Sequence, residues 1–232
     1  MVWRMRANDL VLVSGMRDTR ATLTQWNRTG LRTVVPWLLG SLAIATALLV
    51  AVWVVALAST PDPTFVALPS DTLHSVGVVL FRNGLVLALH AMACVAGFIA
   101  GASLPLEAER YGGWWRSVHD HAGRAAIAFV GCATAFSLAT QAWILGHGAS
   151  TLAAQDHLSP GVLLLGLLPH ALPELVALFL PLAAWLLASR RSAWNELLAA
   201  TFVTVSLAVP TLVLAAFVEV YVSPRLIDML SG

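Results

Sequence analysis

Lysine is absent, and charged residues of both signs make up only 11% of the 232 residues. A soluble domain carries about 25%. The shortage of charge goes with 59% hydrophobic residues and a mean hydropathy of +0.81. A soluble chain of this length could not bury so much apolar surface. All thirteen basic residues are arginine, and no basic run is long enough to engage nucleic acid, so no nucleic-acid partner is expected. Only two cysteines occur, Cys94 and Cys132, both inside apolar segments. That excludes a disulfide framework and leaves the redox compartment unreported. The His-Glu-x-x-His signature of zinc proteases is missing, as are Ser/His and paired-Asp motifs. No enzymatic activity, cofactor or metal is therefore expected.

What is present is a set of long apolar runs. A spanning helix needs about 20 mostly apolar residues. Five runs qualify: 34–58, 84–104, 125–146, 161–188 and 197–222. Each is continuous and lacks period-2 alternation, which marks helices rather than barrel strands. The predicted fold is an all-α, polytopic transmembrane bundle over 34–226, preceded by a cytoplasmic segment, 1–33. Arg4, Arg6, Arg17, Arg20, Arg28 and Arg32 precede the first run. Arg110, Arg116 and Arg124 follow the second, and Arg190 and Arg191 follow the fourth. The other side holds only Arg82 and Arg225. Under the positive-inside rule the N-terminus is cytoplasmic and the C-terminus outside. Trp37, Trp114, Trp115, Trp185 and Trp194 fall near the inner boundary and Trp143 near the outer one, as an aromatic belt requires. Ala56-Leu57-Ala58 resembles a signal-peptidase site, but the run before it is too long for a signal peptide, so the first span is expected to be retained.

Between spans, Ser59–Ser70 reads as a loop containing Pro61, Pro63 and Pro69. Asp71 is placed to cap a short helix, Thr72–Phe81, with Leu73, Val76 and Leu80 on one face and a break at Asn83-Gly84. His119-Asp120-His121 in the inner loop, and His147, Asp156 and His157 in the outer one, read as solvated loop residues rather than metal ligands. Gly97-x-x-x-Gly101, extended by Ala93, matches a close-packing motif of membrane helices. Packing within the chain is the first reading, and a homodimer through this motif is the second.

The fourth run is different. Pro169, His170, Pro173 and Glu174 lie in its middle. A charge at that depth costs about 2.5–3.5 kcal/mol on insertion scales. Proline removes a backbone donor and frees the carbonyl four residues earlier. The span is therefore expected to be broken at Pro169 and Pro173. His170 and Glu174 are one turn apart and share a face, so they could pair directly. By depth, Asn83, Arg82, His90 and Glu219 could join them in one intramembrane polar core. Such a core either fixes helix register or forms a site for a proton, an ion or a partner.

These residues resemble the stage II sporulation protein M family of bacterial membrane proteins over roughly residues 34–226. Phe81-Arg82-Asn83-Gly84, running on to Gly97 and Gly101, is similar to its Phe-x-Asn element. Pro169-His170-Ala171-Leu172-Pro173-Glu174-Leu175 is similar to Pro-His-Gly-x-x-Glu-Leu, with Ala171 in place of glycine. Phe217-Val218-Glu219-Val220-Tyr221-Val222-Ser223-Pro224 is similar to the closing Ile-Glu-Ala-Phe-x-x-Pro element. The third span matches weakly, at Gly146-His147-Gly148. The resemblance implies a non-enzymatic, multi-pass component of the bacterial cytoplasmic membrane. In spore formers the family is similar to a scaffold holding cell-wall hydrolases at the septal membrane, so partners in or outside the membrane are expected. It also implies that Asn83, His170, Glu174 and Glu219 form a polar core. The alternative reading is a small ion-coupled transporter using His170 and Glu174 as a midplane site.

Overall fold

The computed structural model describes residues 11–62, 64, 73–103 and 114–231, with side chains for 17–28, 30–62, 64, 73–101, 125 and 127–231. Among these residues five helices are long and apolar enough to cross a membrane. In order, the helices are α1 (Val11–Thr29), α2 (Leu31–Ala58), α3 (Leu73–Phe98), α4 (Trp114–Gln155), α5 (Pro160–Arg190), α6 (Leu197–Tyr221) and α7 (Ser223–Ser231). A π-helical turn, Ile99–Ser103, follows α3, and a 3-10 turn, Trp194–Glu196, precedes α6. Helix is the form that satisfies every backbone polar group within one segment, which lipid demands.

α1 lies inside the stretch read as a plain cytoplasmic segment. Its half-buried residues Thr19, Thr22, Leu23 and Trp26 recur at helical spacing. It ends at Gly30, whose φ of 49° is left-handed and whose N–H bonds to the Trp26 carbonyl at 2.7 Å. A glycine just past the last turn ends a helix this way because it has no Cβ to clash. The chain then starts α2 in a new direction.

Three expectations are corrected. α3 runs through Asn83-Gly84 without a break, because Asn83 is buried by tertiary contact. Of its expected apolar face, Val76 and Leu80 are packed and Leu73 is exposed. The capping role of Asp71 lies outside the described residues. α4 spans 42 residues, about 63 Å at 1.5 Å per residue. It therefore absorbs both ends that were read as loop: His119-Asp120-His121 near its start and His147 in its last third. Finally, α5 is continuous across Pro169 and Pro173. Both prolines are exposed, so their missing donors fall on the outer face while the buried face carries the helix through.

The chain divides into two compact units. One comprises Met1–Gly40, Ala88–Cys132 and Leu180–Ser206; the other comprises Ser41–Leu87, Ala133–Phe179 and Leu207–Gly232. In the first, Trp37, Leu180, Ala184 and Ala200 form a core against which Trp26, Val34, Leu187 and Val203 pack. Trp26 meets Trp37 edge to face at 5.1 Å. The Cys94 thiol donates to the Pro181 carbonyl at 3.1 Å. A Cβ on Gly97 would stand 2.8 Å from Trp185 Nε1, and one on Gly101 would stand 2.3 Å from the Trp194 ring. The glycine pair is thus used within the chain. Trp37 and Trp185, expected in an aromatic belt, are buried instead.

In the second unit, Val76, Ala216 and Val220 form a core flanked by Val79, Leu80 and Tyr221. A Cβ on Gly146 would stand 2.5 Å from Val55 Cβ, so α2 and α4 are in near backbone contact there. Ser41 on α2 donates its hydroxyl to the Val176 carbonyl on α5.

A polar ladder between the last helices

α5 and the end of the chain run antiparallel within the second unit, and their facing residues recur one turn apart. Gly166 faces Ile227, at 3.4 Å from a built Cβ to Cγ1. His170 Nδ1 and Ser223 Oγ are 2.6 Å apart. Glu219 lies within electrostatic reach of Glu174. Each step of four residues along α5 is matched by a step of four in the opposite sense on α6 and α7. Residues four apart lie one above another on a helix face, so one register aligns all three pairs.

Local sequence sets the lower rungs. Pro224 has no N–H to continue α6, and Ser-Pro is a favourable helix start, so the chain restarts there as α7. Ser223 is buried at that junction, with its hydroxyl turned to His170. Gly166 has room for no side chain of size, since Leu230 and Ile227 lie 3.2 and 3.4 Å from its built Cβ.

α3 supplies two adjacent residues to the acids. Asn83 faces Glu174, and Arg82 lies within electrostatic reach of Glu219. Asn83 Nδ2 and Glu174 Oε2 are buried and have no close hydrogen-bond partner among the described residues. Arg82 is exposed, and Glu174 and Glu219 are half-buried. The arrangement is two carboxyls with one guanidinium in range, an amide, and a separate histidine–hydroxyl pair. Among the described residues no group of three or more His, Cys, Asp or Glu is arranged to hold a metal. The chemistry on offer is hydrogen bonding and charge pairing between helices.

The structure thus brings Asn83, His170, Glu174 and Glu219 into one unit, with Arg82. The expected direct pair between His170 and Glu174 is replaced: His170 turns to Ser223 and Glu174 to Asn83. His90 is buried in the other unit. Ser223 was not singled out as a site residue. A serine beside a proline reads as a simple cap, and only the antiparallel register shows what it meets.

A second polar group ties the loop after α2 to α4. Ser59 Oγ donates to the Val55 carbonyl at 2.7 Å and lies 3.3 Å from His147 Nδ1. Ser150 donates to the Ser59 carbonyl at 3.1 Å, and the Asp62 N–H donates to Thr151 Oγ1 at 3.0 Å. His147 Nδ1 is also 3.1 Å from the Trp143 carbonyl, so a proton on Nδ1 would be donated to that carbonyl. A cavity of about 260 Å³, lined by Val54, Val55, Ala58, Ser59, Thr60, Trp143 and His147, opens beside this latch.

Residues 122–224 match the family model described as Stage II sporulation protein M. The match holds His170, Glu174, Glu219 and Ser223, and leaves Arg82 and Asn83 outside. No curated protein and no solved structure matches the chain.

Proposed function

We propose that this multi-pass membrane protein of the Stage II sporulation protein M family is a non-enzymatic scaffold or assembly component in envelope remodelling. The family match over residues 122–224 carries the reading. The ladder supports it. Polar groups that join α3, α5, α6 and α7 side by side fit a part that holds helices in register and presents their connecting loops to partners. On this reading the protein sits in the bacterial cytoplasmic membrane. The arginine-rich ends of its spans face the cytoplasm under the positive-inside rule, and its partners lie in the membrane or outside, cell-wall hydrolases among them.

Cross-linking and affinity purification from native membranes test this. At least one protein partner should co-purify with the wild type and be depleted with Glu174→Ala at equal expression. Absence of any partner, or an identical set for both proteins, would sink the scaffold reading.

The carboxyl pair Glu174 and Glu219 favours one second reading, an ion-coupled transporter. Proteoliposomes should then show pH-dependent ion flux that Glu174→Gln abolishes. No flux above that of protein-free vesicles would remove this reading.

A further inference from the structure

Exposed positive charge gathers at one corner of the first unit. α1 turns Thr19, Thr22, Leu23 and Trp26 inward, with Trp26 against Trp37 and the helix against the 3-10 turn Trp194–Glu196. Its other face carries exposed Arg17, Arg20 and Arg28. Beyond the Gly30 corner, Leu31 is 76% exposed, between exposed Arg28 and Arg32. Exposed Arg190 and Arg191 close α5, and Arg191 lines a cavity of about 30 Å³ together with Trp26, Trp37 and Glu196. Among the described residues the acids nearby are Asp18, exposed on α1, and Glu196, half-buried in that cavity wall. Arg32 stands where α2 enters its apolar run and Arg190 where α5 leaves its own. Both are therefore at the depth of the lipid headgroups.

We propose that this corner is a docking surface for the anionic headgroups of membrane phospholipids, with α1 lying along the interface and Leu31 reaching into the acyl chains. Three features favour a lipid surface. Guanidinium groups match phosphate oxygens two bonds at a time. A basic helix face beside a span end stands where the negative surface potential of anionic lipid draws arginines. A largely exposed leucine set between arginines has an apolar phase to enter only if the arginines rest on headgroups. Juxtamembrane basic clusters are drawn to anionic lipid by a field that fades within a Debye length, so the binding must weaken with salt.

The experiment uses the full chain in nanodiscs of phosphatidylcholine, alone or mixed with phosphatidylglycerol, with thermal unfolding followed by tryptophan fluorescence. The anionic lipid should raise Tm by roughly 5 °C, as preferential binding to the folded state requires. The shift should shrink in high salt. R28Q/R32Q/R190Q/R191Q should lose most of it, R190Q/R191Q about half, and R225Q none. Native mass spectrometry should show phosphatidylglycerol retained on the wild type and lost from the quadruple variant. Equal Tm in both lipids, or an undiminished shift in the quadruple variant, would overturn the proposal. So would an equal shift produced by inorganic phosphate in phosphatidylcholine nanodiscs, which would mark a soluble-anion site.

Discussion

The two units differ in charge and in what holds their helices together. The segments of the first contain eleven arginines and six acids, a net of +5; those of the second contain two arginines and six acids, a net of −4. The first is joined by shape: Gly97 against Trp185, Gly101 against Trp194, Trp26 on Trp37. The second is joined mainly by polar groups: His170 with Ser223, Ser41 with the Val176 carbonyl, and the latch of Ser59, Ser150 and Thr151. Lipid tails are as apolar as leucine, so burial of apolar surface does not drive membrane helices together. Close packing at small residues and hydrogen bonds between helices are the two means left. Each unit relies chiefly on one of them. The polar means is found beside the acids and the proline-rich helix, where a functional site would also need it.

That contrast can be broken experimentally. The largest effect is expected in the first unit. Gly101→Ala puts a Cβ 2.3 Å from the Trp194 ring, and Gly97→Ala puts one 2.8 Å from Trp185. Each should cost about 1–3 kcal/mol as overpacking, read as lowered thermal stability in detergent. Gly131→Ala, in the same unit and with nothing within 4 Å of the built Cβ, should leave it unchanged. If Gly131→Ala proves as harmful as Gly101→Ala, shape does not govern the first unit.

In the second unit, Ser223→Ala removes the partner of a buried histidine. The expected loss is about 1 kcal/mol, in line with hydrogen bonds between membrane helices. A double-mutant cycle with His170→Ala should return a coupling of about 0.6 kcal/mol or more. Zero coupling would show that the ladder aligns the helices without stabilising them. Thr151→Ala removes the acceptor for the Asp62 N–H. It should cost about 0.5–1.5 kcal/mol and speed amide exchange at Asp62 only.

The smallest effect is a pH dependence in the loop. The Thr64 hydroxyl, then the Thr64 N–H, bond the Asp62 carboxylate and hold its pKa below the usual carboxylate range. A lowered pKa in the folded state means that the turn is fully favoured above the ordinary carboxylate pKa. Its contribution disappears as pH falls through the lowered value. Amide shifts of Thr64 should therefore hold constant near neutral pH and change only in acid. A change near neutrality would refute the Asp62–Thr64 turn.

Much of the fold was legible because each span announces itself as an uninterrupted apolar run. The polar residues stood out for the same reason: His170, Glu174 and Glu219 are conspicuous where charge is scarce. Their partners were harder to foresee. His170 and Glu174 share a helix face, and spacing alone suggested that they pair with each other. Instead His170 meets Ser223 at the start of another helix, and Glu174 faces Asn83 on a third. The breaks expected at Asn83-Gly84 and at Pro169 failed for a related reason. Local propensity is a weak prior, and tertiary contacts on the buried face carried both helices through.

Taken alone, the sequence determined that the chain has five helices able to cross a membrane and which few residues in them are polar. Those outcomes depend on transfer from water to lipid, a property of each segment by itself. Tertiary structure decided which residues meet. The antiparallel register of α5 with the chain end sets His170 on Ser223 and Glu174 opposite Glu219, and the approach of α3 brings Arg82 and Asn83 to the acids. Close approach at Gly97 and Gly101 turned a motif that could have joined two copies into packing within one. Register and approach depend on how whole helix surfaces fit, and no single segment encodes that fit.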